Sequence, residues 1–102
     1  MGRGPKDIRV HLIGDLIVVR LIGILSEAEK HMVNSLPGEK GRELLKYARA
    51  KLIEAARPAL EAMIEGITGI KVLSLHQDIS TVTGEEVVLF ALAESPTKTH
   101  FV

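Results

Sequence analysis

The chain reads as an α+β protein in which two β-hairpins flank a helical segment, ββααββ, giving a four-stranded antiparallel sheet packed against a long kinked helix. Three observations lead there. Strand-length apolar runs stand near both ends of the chain, an apolar stripe at three- and four-residue steps fills the middle, and Gly14-Asp15 and Thr83-Gly84 supply turns between the runs. With 102 residues, 46% of them hydrophobic and 25% charged, the chain has material for one core. Residues 1–94 are therefore expected to form a single domain, and residues 95–102, with Pro96 and two threonines, a mobile tail.

Ile8, Val10 and Leu12 alternate with Arg9 and His11, which is the period of a half-covered strand. After Gly14-Asp15 the run Leu16 to Ile24 is apolar at nearly every position, and Glu86 to Leu92 repeats that property. Neighbouring side chains in a strand point to opposite faces, so both runs ask for cover on two sides. One long helix covers one side. The other side is expected to meet a second copy or another partner, with Leu16, Val18, Ile22, Val87 and Leu89 as interface residues.

Ser26 with Glu29 has the spacing of a capping box and predicts a short helix from about Glu27 to Asn34, ended by Leu36-Pro37-Gly38. A long helix is expected from near Glu39. Leu45, Ala48, Leu52, Ala55, Ala56, Ala59, Leu60, Met63 and Ile64 form its stripe, and Lys46, Arg49, Lys51, Glu54, Arg57 and Glu61 an exposed face. Pro58 predicts a kink or break near Arg57. Gly66 and Gly69 offer a left-handed exit. Strands are then expected over Ile70 to His76 and Glu86 to about Ala93, with Leu73, Leu75, Val88, Phe90 and Leu92 on one side and Ile70, Val72, Val87 and Leu89 on the other.

Composition excludes more than it assigns. Thirteen basic residues balance thirteen acidic ones, so no broad field draws nucleic acid, and the mildly basic start through Arg3, Lys6 and Arg9 reads as a solvated terminus. Cysteine is absent, which removes thiolate chemistry, disulfides and Cys-ligated metals. No apolar run is long enough to span a bilayer, and the start lacks a signal-peptide core; a cytoplasmic location is the default. The glycine-rich start has no phosphate-loop pattern, and no serine lies in a nucleophile elbow.

Polar groups concentrate at Ser74 to Thr81. In an extended strand His76 and Asp78 share a face, where a carboxylate could orient an imidazole as base or ligand. A metal needs three or four converging ligands, and only His11, Glu85 and Glu86 offer themselves nearby, so neither metal nor cofactor is expected. The simpler reading has His76 ending a strand and Asp78, Ser80 and Thr81 bonding the turn. Arg20 interrupts an apolar strand, where a charge needs solvent or a carboxylate: an ion pair is the first expectation, and a ligand anchor together with His76 and Asp78 the alternative. That alternative makes the chain a small-ligand-binding protein or an enzyme; the first reading assigns no catalytic residue.

Taken in order, GRGPKDIRVHLIGDLIVVRL, GILSEAE, ELLKYARAKLIEAARPALEAMIEGITGIKV and SLHQDISTVTGEEVVLFAL resemble the small bacterial family named for MpsC, the accessory member of a Na⁺-translocating, membrane-potential-generating system. The resemblance covers nearly all of residues 2 to 93, and the matching positions include Gly2, Arg3, Gly4, Pro5, Arg9, Gly14-Asp15, Glu29, Arg57-Pro58, Thr68-Gly69, His76, Asp78, Ile79 and Glu85. It implies an accessory or regulatory role; joined to the apolar second face and the lack of a catalytic constellation, it leads to the expectation of a non-enzymatic module that forms a homodimer, with subunits of a cation or bicarbonate transport system as partners. The resemblance also implies an amphipathic helix before the GRGP segment; if that helix covers the second sheet face in the family, a chain beginning at GRGP is expected either to expose apolar surface or to rely more on self-association.

Overall fold

A computed structural model describes residues 5–35 and 39–96. Within them six elements follow in the expected order: β1 (Asp7–Ile13), β2 (Leu16–Ile22), α1 (Glu27–Ser35), α2 (Lys40–Thr68), β3 (Val72–Ile79) and β4 (Glu86–Leu92). The strands form one antiparallel sheet in the order β1-β2-β4-β3, so the two apolar strands lie side by side in the middle and β1 and β3 are the edges.

Local chemistry explains most boundaries. Gly14 has φ 61° and opens the two-residue loop between Ile13 and Leu16, as a hairpin turn that needs a left-handed first residue requires. Helix α1 starts on the capping box: the Ser26 N–H donates to Glu29 Oε1 at 2.9 Å, and the Glu29 N–H donates to Ser26 Oγ at 3.1 Å. Gly69, with φ 73°, ends α2 by donating its N–H to the Glu65 carbonyl at 2.8 Å. The predicted break between the helices, residues 36–38, and most of the expected mobile tail, residues 97–102, lie outside the described residues, although Pro96 itself is buried.

Helix α2 runs for 29 residues, about 43 Å, and continues through Pro58 as one element. Both Pro58 and Glu54, whose carbonyl loses its usual donor, are exposed, so water can serve the freed group. On the inner side Ile53, Leu60 and Ile64 press on the core cluster Ile70, Val72, Val88, Phe90 and Leu92, with Ile17, Val19 and Leu75 at its margin. Core contacts thus lie on both sides of the proline.

The face assignment in the second hairpin needs correction at Leu73. The β3–β4 register shifts between Val72 and Ser74, leaving Leu73 without a partner on β4. Val72 joins Leu75, Val88, Phe90 and Leu92 in the core, Ile70 packs with them, and Leu73 is 60% exposed. One extra residue switches the face of everything before it.

Helix α1 packs chiefly on α2. The contact is close: a Cβ on Gly41 would lie 2.6 Å from the Met32 carbonyl oxygen and 2.9 Å from Val33 Cα.

Candidate functional site

Residues opposite one another in an antiparallel pair share a face, so the register fixes what the side of the sheet away from α2 displays. One row reads Ile13, Leu16, Ala91, Ser74 from β1 to β3. The next is His11, Val18, Leu89, His76, and the third Arg9, Arg20, Val87, Asp78; Asp7 faces Ile22 beyond them. All five expected interface residues, Leu16, Val18, Ile22, Val87 and Leu89, therefore lie on one surface, half-buried by their neighbours while α2 packs on the opposite side. It has an apolar centre two strands wide and polar residues along both edges, the plan of a protein-recognition patch.

The polar edges are internally paired. Arg20 Nε donates to Glu85 Oε2 at 2.5 Å, which holds the Glu85 carboxyl below its ordinary range and raises the Arg20 guanidinium above its own. Arg9, opposite Arg20, bonds Asp7 at 2.9 Å, so two carboxylates balance two guanidinium groups along the β1 side. On the β3 side Lys46 reaches from α2 to Asp78 Oδ1 at 2.6 Å, and the Ile79 N–H donates to the same oxygen at 2.8 Å; Lys46 first, then this amide, hold Asp78 below the usual carboxylate range. His76 Nε2 lies 3.2 Å from Ser74 Oγ.

The three candidate ligand residues thus share the face without meeting at a point. Arg20 and Asp78 stand in one row with the β4 strand between them, about 9.5 Å apart along the sheet, and His76 is in the next row. Ser80 Oγ accepts the N–H groups of Val82 and Thr83 and organises the β3–β4 turn; Asp78 serves the strand end and α2. Two concavities lie elsewhere. One is lined by Glu61, Glu65 and Gly69 to Val72, the other by Leu25, Lys30, Val33, Asn34, Arg42 and Thr81 to Thr83, and none of the three candidates borders either. Among the described residues no three His, Asp or Glu side chains form a group that could hold a metal ion. His11, Glu85 and Glu86, considered together from sequence, are separated: His11 is on the outer face and Glu86 points into the core.

Glu86 is the feature that sequence reasoning missed. It is 0% exposed beneath α2, where its Oε1 accepts two bonds from Arg49 (Nη2 at 2.6 Å, Nε at 3.1 Å) and its Oε2 one from Gln77 at 2.7 Å. Arg49, expected on the exposed helix face, instead lies mostly covered between helix and sheet. One signal was present: Glu86 begins the two-residue series continued by Val88, Phe90 and Leu92, so it had to share their buried side.

On the helix side α2 covers only part of the sheet. Lys46 and Glu65, the latter accepting the Val72 N–H at 2.9 Å, tie it to β3. Ile8, Val10 and Leu12 of β1 face the same side as Ile17 and Val19 yet remain exposed. Among the described residues no helix is long and apolar enough to cross a membrane.

Comparison with known proteins gives a family and little else. The family model described as "Na+-translocating membrane potential-generating system (MpsC)" matches residues 1–94. A protein of Bacillus subtilis (strain 168), the uncharacterized protein YbcI, is 38% identical over 92 residues, spanning 90% of this chain and 72% of the relative. No solved structure matches the chain significantly.

Proposed function

The chain belongs to the MpsC family, and from that premise we propose that it is a non-enzymatic accessory or regulatory module that self-associates and docks, from the cytoplasm, on subunits of a cation or bicarbonate transport system. The observation that carries the reading is the outer sheet face, where Leu16, Val18, Leu89 and Ala91 form an apolar centre with no layer over it among the described residues and charged edges already neutralised by Glu85, Asp7 and Lys46. Such a surface gains from burial against protein. A ligand-binding or enzymatic role for Arg20, His76 and Asp78 is less favoured, because each head group is engaged within the chain and none of them borders either of the two concavities described above.

The test is affinity capture from membranes of the native host, with the parent and with Val18→Glu and Leu89→Lys, combined with growth of a deletion strain across sodium concentrations. The parent should recover a transport subunit, both variants should lose it while keeping their far-UV spectrum, and the deletion should change sodium-dependent growth. Recovery of no membrane subunit, with growth unaffected at every sodium level, would remove the proposal.

A further inference from the structure

Strand β1 is ordered by very little of its own chain. All seven residues are exposed, and among the described residues the strand pairs with β2 alone and no helix packs closely over it. Ile8 is 56% and Val10 64% exposed although they share the core side of the sheet. The backbone is unsatisfied too. The Ile22 carbonyl accepts from Lys6 and the Asp15 carbonyl from Leu92, so even-numbered β2 residues bond towards β1 and odd-numbered ones towards β4. By the same alternation Arg9, His11 and Ile13 spend their backbone groups on β2, and Ile8, Val10 and Leu12 aim theirs at the open edge.

We propose that this edge is where a second copy of the chain binds, β1 against β1, antiparallel about a two-fold axis through Val10, joining the two sheets. That register alone gives every outward residue an outward partner: Ile8 meets Leu12 of the second copy, Val10 meets Val10, and Leu12 meets Ile8. Sliding by two residues leaves one of the three unpaired, and sliding by one sets outward groups against groups already used. On the helix side the pairing places six aliphatic side chains in contact; on the other, it sets Arg9 opposite His11 of the second copy and diagonal to that copy's Arg9, each Arg9 being already paired with Asp7 of its own chain. Between Asp7 and Ile13 there is no proline, no lysine and no register shift, and the two charges present, Arg9 and Asp7, are paired with each other.

This inference rests on the self-association in the proposed function and fixes its geometry. The chain has no cysteine, so single introduced thiols report contacts cleanly. Facing Val10 residues would have Cα atoms about 5.5 Å apart, within disulfide range, whereas Ile13, similarly exposed at 62%, would be about 20 Å from its copy. Val10→Cys should therefore form an intermolecular disulfide under mild oxidation at least about tenfold faster than Ile13→Cys. Val10→Pro, which removes only an outward N–H, should weaken the dimer in sedimentation equilibrium by about tenfold or more without changing the far-UV spectrum, since two intermolecular hydrogen bonds are lost per dimer. A dimer that survives Val10→Pro and cross-links no faster at position 10 than at 13 overturns the β1 pairing and leaves self-association standing. A parent protein that is monomeric at its highest soluble concentration overturns both.

Discussion

Replacing Arg49 by methionine should be among the most damaging single changes available to this fold. Glu86 is fully enclosed, and two of its three hydrogen bonds come from Arg49. Bonds to a charged group contribute about 1.5 to 3 kcal/mol each, and stripping one member from a buried pair costs about 3 to 5 kcal/mol because the remaining charge has neither water nor partner. For a chain of this size, with a urea dependence of about 1.5 kcal/mol per molar, the unfolding midpoint should fall by about 2 to 3 M. Urea titration followed by far-UV circular dichroism reads this directly. Removing all three polar groups together, Arg49→Met with Glu86→Leu and Gln77→Met, should restore most of the loss, because the penalty belongs to the orphaned charge. An Arg49→Met protein within about 0.5 kcal/mol of the parent, the range of an ordinary surface substitution, would refute the claim that Glu86 is desolvated in the native state.

Three further outcomes follow from the local geometry. Gly41→Ala drives a Cβ into backbone of α1, which cannot yield as a side-chain tip can; it should cost about 1 to 3 kcal/mol and raise amide exchange throughout Glu27 to Ser35, and unchanged exchange there would show that the helices do not touch in solution. Ser26→Ala removes the oxygen that serves the Glu29 amide and should lower stability by about 1 kcal/mol, measured by the same urea titration, with Ser26→Asp close to the parent. Asp78 and Glu85 are held below the unfolded carboxylate range, so their contribution is complete above that range and is lost as the pH falls through the depressed values; thermal midpoints should be level above about pH 5, decline below about pH 4, and decline less in Lys46→Met and Arg20→Met, while an unaltered acid slope in both variants would mean the pairs are not formed.

The sequence spoke clearly wherever a structure is specified by neighbours in the chain. The Ser26 and Glu29 cap, the Gly14-Asp15 turn and the Gly69 exit each depend on a few adjacent residues, and each was readable. The two-faced strands were readable for a related reason: Leu16 to Ile22 has too many aliphatic residues for a single side, whatever surrounds it. Features set by distant partners were not. Arg49 looked solvent-facing because its counterion lies 37 positions further on, and Glu86 looked like a strand-end charge until α2 was placed over it. Pro58 left a break open as readily as a continuous helix; the packing of Ile53, Leu60 and Ile64 on the sheet, on both sides of it, goes with the continuous one. The bulge at Leu73 has no local mark, so one skipped partner reversed the expected faces of Ile70 and Val72. For the candidate site, the apolar outer face was legible as a set, whereas the pairing of Arg20 and Asp78 with their carboxylate and ammonium partners required the fold.

A helix of 29 residues laid across strands of seven or eight gives the molecule extents of 50 × 23 × 22 Å and a radius of gyration of 15.5 Å, against about 13 Å for a rounded chain of this length. A rod tumbles and drifts as though it were heavier than it is. Gel filtration calibrated with spherical standards will overstate the 11.1 kDa mass of one chain, and fluorescence anisotropy will decay with more than one time constant even when every particle is alike. Counting copies by elution volume would thus report company where there is none, and the count has to come from mass itself, by scattered light or by sedimentation to equilibrium.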